Sequence, residues 1–253
     1  MEVLTFLIIM VLGFVLGSFY CCIGLRIPNK ISIINPPSHC PKCKKKLKWY
    51  MNIPVLSYLI LGGKCAYCKK QISLLYPFIE MFTAILFVIS FVKYGFSLEF
   101  FLLIILCSVL VITIVTDFLY YYISDRVVII GLVLIFLVNF IYNGTSGLIT
   151  SLISSLVMFL IMLMVKVLGD KIFKKESLGG GDIKLMALIG ASNGIIPSIC
   201  GIIVSSMIAL PFALFVTKKD KDIIPFGPFL LLGGVIFLFF KSPINNFLGF
   251  LGW

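Results

Sequence analysis

The chain has 253 residues, of which 61% are hydrophobic and only 12% charged, with a mean hydropathy of +1.17 and a formal net charge of +11. That is more apolar surface than a soluble domain of this length can bury, which excludes a water-soluble globular enzyme and points to a polytopic membrane protein. A single His leaves little room for histidine-based catalysis.

In chain order, Thr5–Gly24 predicts a first membrane helix, with Gly13, Gly17 and Ser18 suited to close packing in lipid. Glu2 precedes it, Arg26 follows it and no small-residue cleavage site comes next, so it is expected to stay as an anchor. The segment from Arg26 to about Tyr76 is the polar region; it carries ten basic residues and no acidic one, and the positive-inside rule places it in the cytoplasm. Further apolar runs follow at Pro77–Val92, Ser97–Thr116, Arg126–Tyr142, Gly147–Leu168, a short Ile183–Ala191, Ile195–Val216 and Phe226–Phe240, with turn signals at Asn143-Gly144, Ser192-Asn193-Gly194 and Pro225. The expected fold is therefore all-α, with about eight transmembrane helices and no repeat of a soluble kind. Alternating the helices from an outside N-terminus leaves only Lys93 and Lys241 of the 21 Lys and Arg residues outside.

The polar region holds Cys40-Pro-Lys-Cys43 and Cys65-Ala-Tyr-Cys68, two C-x2-C pairs separated by 21 residues. This approaches the spacing with which four thiolates surround a tetrahedral zinc. Two disulfides are the competing reading, disfavoured in a reducing cytoplasm. Four thiolates leave no open coordination position, so a metal here would be structural, while the surrounding positive surface could also serve anionic headgroups. Cys21, Cys22, Cys107 and Cys200 lie in apolar runs as small core residues.

Three carboxylates stand at the edges of apolar runs. Asp125 follows Ser124 at the start of the fourth helix and reads as a helix cap; Asp182, after Gly179, Gly180 and Gly181, admits the same reading. Asp117 closes the third helix, where the negative end of the helix dipole disfavours a carboxylate, so a purely structural role is harder to justify. The topology brings Asp117 and Asp182 to the same membrane face although 65 positions separate them. Two such carboxylates sharing a proton can activate a water and polarise a peptide carbonyl, as in aspartic proteases. The three glycines would let a substrate backbone approach, and Lys184 either supports a carboxylate's charge or sits in the headgroup zone.

These residues resemble the type IV prepilin peptidases, intramembrane aspartyl proteases with a G-x-G-D motif, met here by Gly179-Gly180-Gly181-Asp182. The resemblance extends to Gly17-Ser18-Phe19, Arg26-Ile27-Pro28, the Cys40 and Cys65 knuckles, Asn52-Ile53-Pro54-Val55-Leu56-Ser57-Tyr58, Gly62-Gly63-Lys64, Tyr76-Pro77 with Glu80, Ile123-Ser124-Asp125 and Pro225-Phe226-Gly227-Pro228, thus essentially the whole chain; Ser124 stands where the family usually has Pro.

The resemblance implies a bifunctional enzyme of the bacterial cytoplasmic membrane. It would cut the leader from prepilins or pseudopilins at the cytoplasmic face and N-methylate the new terminus, usually Phe, with S-adenosylmethionine. It assigns catalysis to Asp117 and Asp182, supported by Gly179, Gly180, Gly181, Lys184 and Asp125, and the cysteine tetrad to Cys40, Cys43, Cys65 and Cys68. Cofactor candidates are Asn52, Ser57, Gly63 and Glu80. The division expected is a first helix (1–25), a cysteine-bearing region associated with methyl transfer (26–76) and a protease domain (77–253), with no nucleic-acid partner. The alternatives are a peptidase without methylation, a transporter with broken helices, or a scaffold that uses its cysteine knuckle to bind a partner.

Overall fold

The computed structural model describes residues 2–217 and 224–241, and among them the only regular structure is helical. Among the described residues, five helices are long and apolar enough to cross a membrane. The chain divides into two compact units, Met1–Gly95 and Phe96–Trp253.

In the first unit, α1 (Glu2–Arg26) packs along α3 (Leu75–Tyr94). Gly13 and Gly17 make this approach possible: a Cβ on Gly13 would lie 2.5 Å from Ala84 Cα, and one on Gly17 2.8 Å from Glu80 Cα. Small residues let helices meet backbone to backbone where no hydrophobic force drives association. Between the two helices lie a 3-10 turn (Trp49–Asn52) and the five-residue helix α2 (Leu56–Ile60), which no membrane-length run announces. The Arg26 guanidinium donates to the carbonyls of Ser32, Ile33 and Pro36, folding the chain back as it leaves α1.

The second unit contains α4 (Leu98–Tyr120), α5 (Asp125–Phe173), α6 (Gly180–Asn193), α7 (Ile195–Thr217) and α8 (Gly227–Phe239). Ser97 caps α4 by accepting the Phe100 N–H, and the helix runs one turn past its expected end at Thr116 before Tyr121 closes it in a left-handed conformation. Unbroken, the 49 residues of α5 would extend about 74 Å, more than twice a hydrocarbon core of ~30 Å. Gly144, at φ 64° and ψ −153°, breaks it into the two expected halves. Only glycine takes that backbone conformation without a steric cost.

The short helix α6 is the centre of this unit. From Ile183 to Ser192 every residue but Lys184 is buried, against α5, α7 and α8. At 14 residues it is about 21 Å long, as α8 is about 20 Å with its 13, so each helix alone is shorter than a hydrocarbon core of ~30 Å and its flanking residues would have to complete a span. Its far end is held by polar contacts that would be costly to lose in an apolar interior: the Ser151 hydroxyl donates to Ala191 O at 2.7 Å and Asn193 Nδ2 to Gly234 O at 2.9 Å. The Lys241–Glu99 pair, at 3.1 Å, ties the end of α8 to the start of α4.

Candidate active site

The last turn of α4, the first turn of α6 and the start of α8 converge in the second unit. Asp117 belongs to that last turn, three residues before the helix ends rather than at its terminus, and is 6% exposed. Its carboxylate accepts the Gly227 N–H at the head of α8. A Cβ on Gly227 would lie 3.1 Å from Asp117 Oδ2, so a larger residue there would crowd the carboxylate.

Asp182 is 7% exposed and sits third in α6, whose cap is Gly179. It is therefore not the N-cap. Its side chain instead reaches back to the Gly179 N–H, as the acidic member of a capping box does. That accounts for one oxygen; Oδ1 is buried with no hydrogen-bond partner among the described residues, an arrangement with a substantial desolvation cost. Asp117 and Asp182 are near enough to interact through space.

Ile123, in the link between α4 and α5, fills the space between the glycines. A Cβ on Gly181 would fall 2.7 Å from Ile123 Cβ, and one on Gly227 3.0 Å from Ile123 Cδ1. Gly180, by contrast, faces open space. Side by side, these two positions give a packed glycine and an accessible one next to Asp182.

The cap expected of Asp125 is filled by Ser124, and even there no side-chain cap hydrogen bond forms; Ser124 Oγ is buried without a partner among the described residues. Asp125 is the first residue of α5 and pairs with Lys184 Nζ at 2.6 Å. Lys184 thus joins α6 to α5. Both side chains are roughly half exposed, so the pair is worth ~0–1 kcal/mol and fixes direction more than it stabilises.

The first unit holds the cysteine cluster. The four Sγ atoms of Cys40, Cys43, Cys65 and Cys68 all lie within 4.8 Å of one another. Cys40 and Cys68 sulfurs are 3.9 Å apart, far beyond a disulfide bond and close to the ~3.8 Å edge of a thiolate tetrahedron with ~2.3 Å metal–sulfur bonds. The two knuckles are built alike: Cys40 N–H donates to Lys45 O and Lys44 N–H to Cys40 O, while Cys65 N–H donates to Lys70 O and Lys69 N–H to Cys65 O. Lys44 and Lys69 both take positive φ, at 60° and 57°. The two C-x2-C pairs thus form a short structural repeat, where no repeat of a soluble kind was expected. The backbone N–H groups of Cys68 and Tyr67 hold the Cys65 thiol below its ordinary range.

The remaining candidates also lie in the first unit. Glu80 is buried, and its Oε2 accepts the Val55 N–H at 2.7 Å while Ser18 bonds the same carboxylate. Val55 has φ 58° and ψ −51°, a strained conformation for a β-branched residue, which the carboxylate secures. Glu80 is thus brought to the start of α2, two residues from Ser57. Gly63, at φ 68°, turns beyond the other end of α2 against Tyr58, and Asn52 is exposed on the 3-10 turn. Gly227, Ile123, Val55 and Ser18 were not singled out as site residues from sequence. Their neighbourhoods were signalled by the motifs Gly17-Ser18-Phe19, Asn52–Tyr58, Ile123-Ser124-Asp125 and Pro225–Pro228.

Two families match the chain: "Bacterial Peptidase A24 N-terminal domain" over residues 11–94 and "Type IV leader peptidase family" over residues 104–214. Among similar proteins, one from Bacillus subtilis is 32% identical, covering 95% of this chain and 96% of its own length. One from Vibrio cholerae is 32% identical over 94% and 98%, and one from Xanthomonas campestris 31% identical over 95% and 93%. All three are named "Prepilin leader peptidase/N-methyltransferase". No solved structure matches the chain.

Proposed function

The chain belongs to the type IV leader peptidase family, and from that premise we propose that it cleaves the leader peptide of type IV prepilins or pseudopilins and N-methylates the new N-terminus. The observation that carries the proteolytic reading is the pair of buried carboxylates, Asp117 and Asp182, drawn from two helices to one point, with an unpaired oxygen on Asp182. We assign catalysis to this pair. One carboxylate, ionised, takes a proton from water as the water oxygen adds to the scissile carbonyl. The other, protonated, hydrogen-bonds the carbonyl oxygen, and a proton reaches the leaving nitrogen as the C–N bond breaks. Gly179, Gly180 and Gly181 supply the approach for the substrate backbone, with Gly180 on the open side; Lys184 and Asp125 hold the first turns of α6 and α5 together.

In the bilayer we place eight spans, counting the halves of α5 separately and including the short α6 and α8. The N-terminus is then outside, with the basic region and the aspartates at the cytoplasmic face of a bacterial cytoplasmic membrane. The lysine distribution supports this orientation. Zinc is the metal we assign to Cys40, Cys43, Cys65 and Cys68, because a closed four-thiolate set suits it and serves structure.

The region 26–76 is assigned to methyl transfer, with 1–25 as first helix and 77–253 as the protease part. S-adenosylmethionine, bound beside Asn52, Ser57, Gly63 and Glu80, would supply the methyl group. Glu80 contributes there by fixing Val55 and so the start of α2.

The test is mass analysis of a co-expressed prepilin, which reads cleavage and methylation together. Asp117→Ala and Asp182→Ala should each abolish cleavage, a loss of roughly 10³-fold or more, with normal membrane insertion. Retained cleavage in either removes that residue from the chemistry.

A further inference from the structure

The polar region presents a surface that neither proteolysis nor methyl transfer explains. In α2, Leu56, Leu59 and Ile60 are all exposed, Ile60 at 83%. Their i, i+3, i+4 spacing puts them on one face of the helix. The adjoining 3-10 turn packs on α2 and carries Trp49, 81% exposed. A water-soluble loop has no reason to display four large apolar side chains so close together, whereas an interfacial helix displays such a set, with Trp at headgroup level.

Charge identifies what covers it. Arg26 to Tyr76 holds ten basic residues and no acidic one, so the segment that carries the apolar face is wholly cationic. Its two ends run directly into α1 and α3, both membrane-crossing by length and composition. The region is thus tethered to the bilayer at both sides, where a cationic rim and an apolar centre match anionic headgroups above acyl chains.

We propose that Trp49 and the exposed face of α2 insert into the headgroup region of an anionic lipid surface, with the surrounding lysines bound to its phosphates. This stands apart from the assignment of the aspartates and does not depend on it.

The experiment uses the full chain carrying Trp253→Phe, which leaves Trp49 as the sole tryptophan of the two. It is reconstituted in nanodiscs of phosphatidylcholine alone or with phosphatidylglycerol. With the anionic lipid, Trp49 emission should shift to the blue, be quenched by bromines near the top of the acyl chains and lose most of its quenching by aqueous acrylamide. Phosphatidylcholine alone should weaken all three severalfold, as should Leu59→Asn with Ile60→Asn in anionic discs. Equal lipid quenching in both discs overturns the headgroup recognition. Full acrylamide access in both, or shielding that arises only when prepilin is added, overturns membrane docking.

Discussion

At the residue scale, a hydrogen bond can decide which of two activities a side chain serves. Glu80 accepts the Val55 N–H and Val55 is strained, so Glu80→Ala should release the start of α2 and lose methylation while leader cleavage continues. Glu80→Gln keeps an acceptor and should restore most of it; equal defects in both variants would instead implicate the charge. The mass of a mature pilin, with or without its methyl group, reads the difference. Ser124 is buried, its hydroxyl has no partner among the described residues, and its φ of −80° is one that proline can adopt. Ser124→Pro should therefore raise stability by roughly 0.4–1 kcal/mol, seen as a higher melting temperature in detergent. Asp117 and Asp182 were legible in the sequence because a carboxylate beside an apolar run is conspicuous. The ion pair of Asp125 with Lys184 was not, since a residue following Ser at a helix start looks the same whether it caps that helix or reaches another.

At the element scale, apolar length announced the membrane helices, and Asn143-Gly144 announced the break within α5. Nothing of comparable length announced α2: five residues are too few to form a period, and only the fold around them shows that they are helical. The start of α6, where three glycines suggest an open approach for a substrate backbone, is a packed helix start, and its glycines differ. Gly181→Ala would drive a methyl into Ile123 and should cost about 1–3 kcal/mol, lowering the melting temperature. Gly180→Ala meets open space and should leave the melting temperature within a few degrees of the parent. A defect in its prepilin cleavage would then report substrate approach rather than folding. Which glycine was which could not be read from the run, because the distinction lies in Ile123, distant in sequence from both.

At the scale of the whole molecule, the family's two halves were legible because motifs recur from Gly17 to Pro228, while the geometry that joins cysteines or aspartates across the chain awaited the fold. Purified protein should contain about one zinc per chain by elemental analysis, lost when Cys40→Ser and Cys43→Ser are combined. A metal-free parent that stays folded would count against zinc. The paired knuckles have one more consequence. With zinc bound as proposed, Cys43 and Cys65 would clasp a ring of chain on which Asn52, Ser57 and Gly63 ride, as do Trp49 and α2. A clasp of this kind withholds entropy from the segment it closes. Opening it by chelation or oxidation would slacken the ring, α2 included, so metal supply and redox state would govern how firmly that ring is shaped.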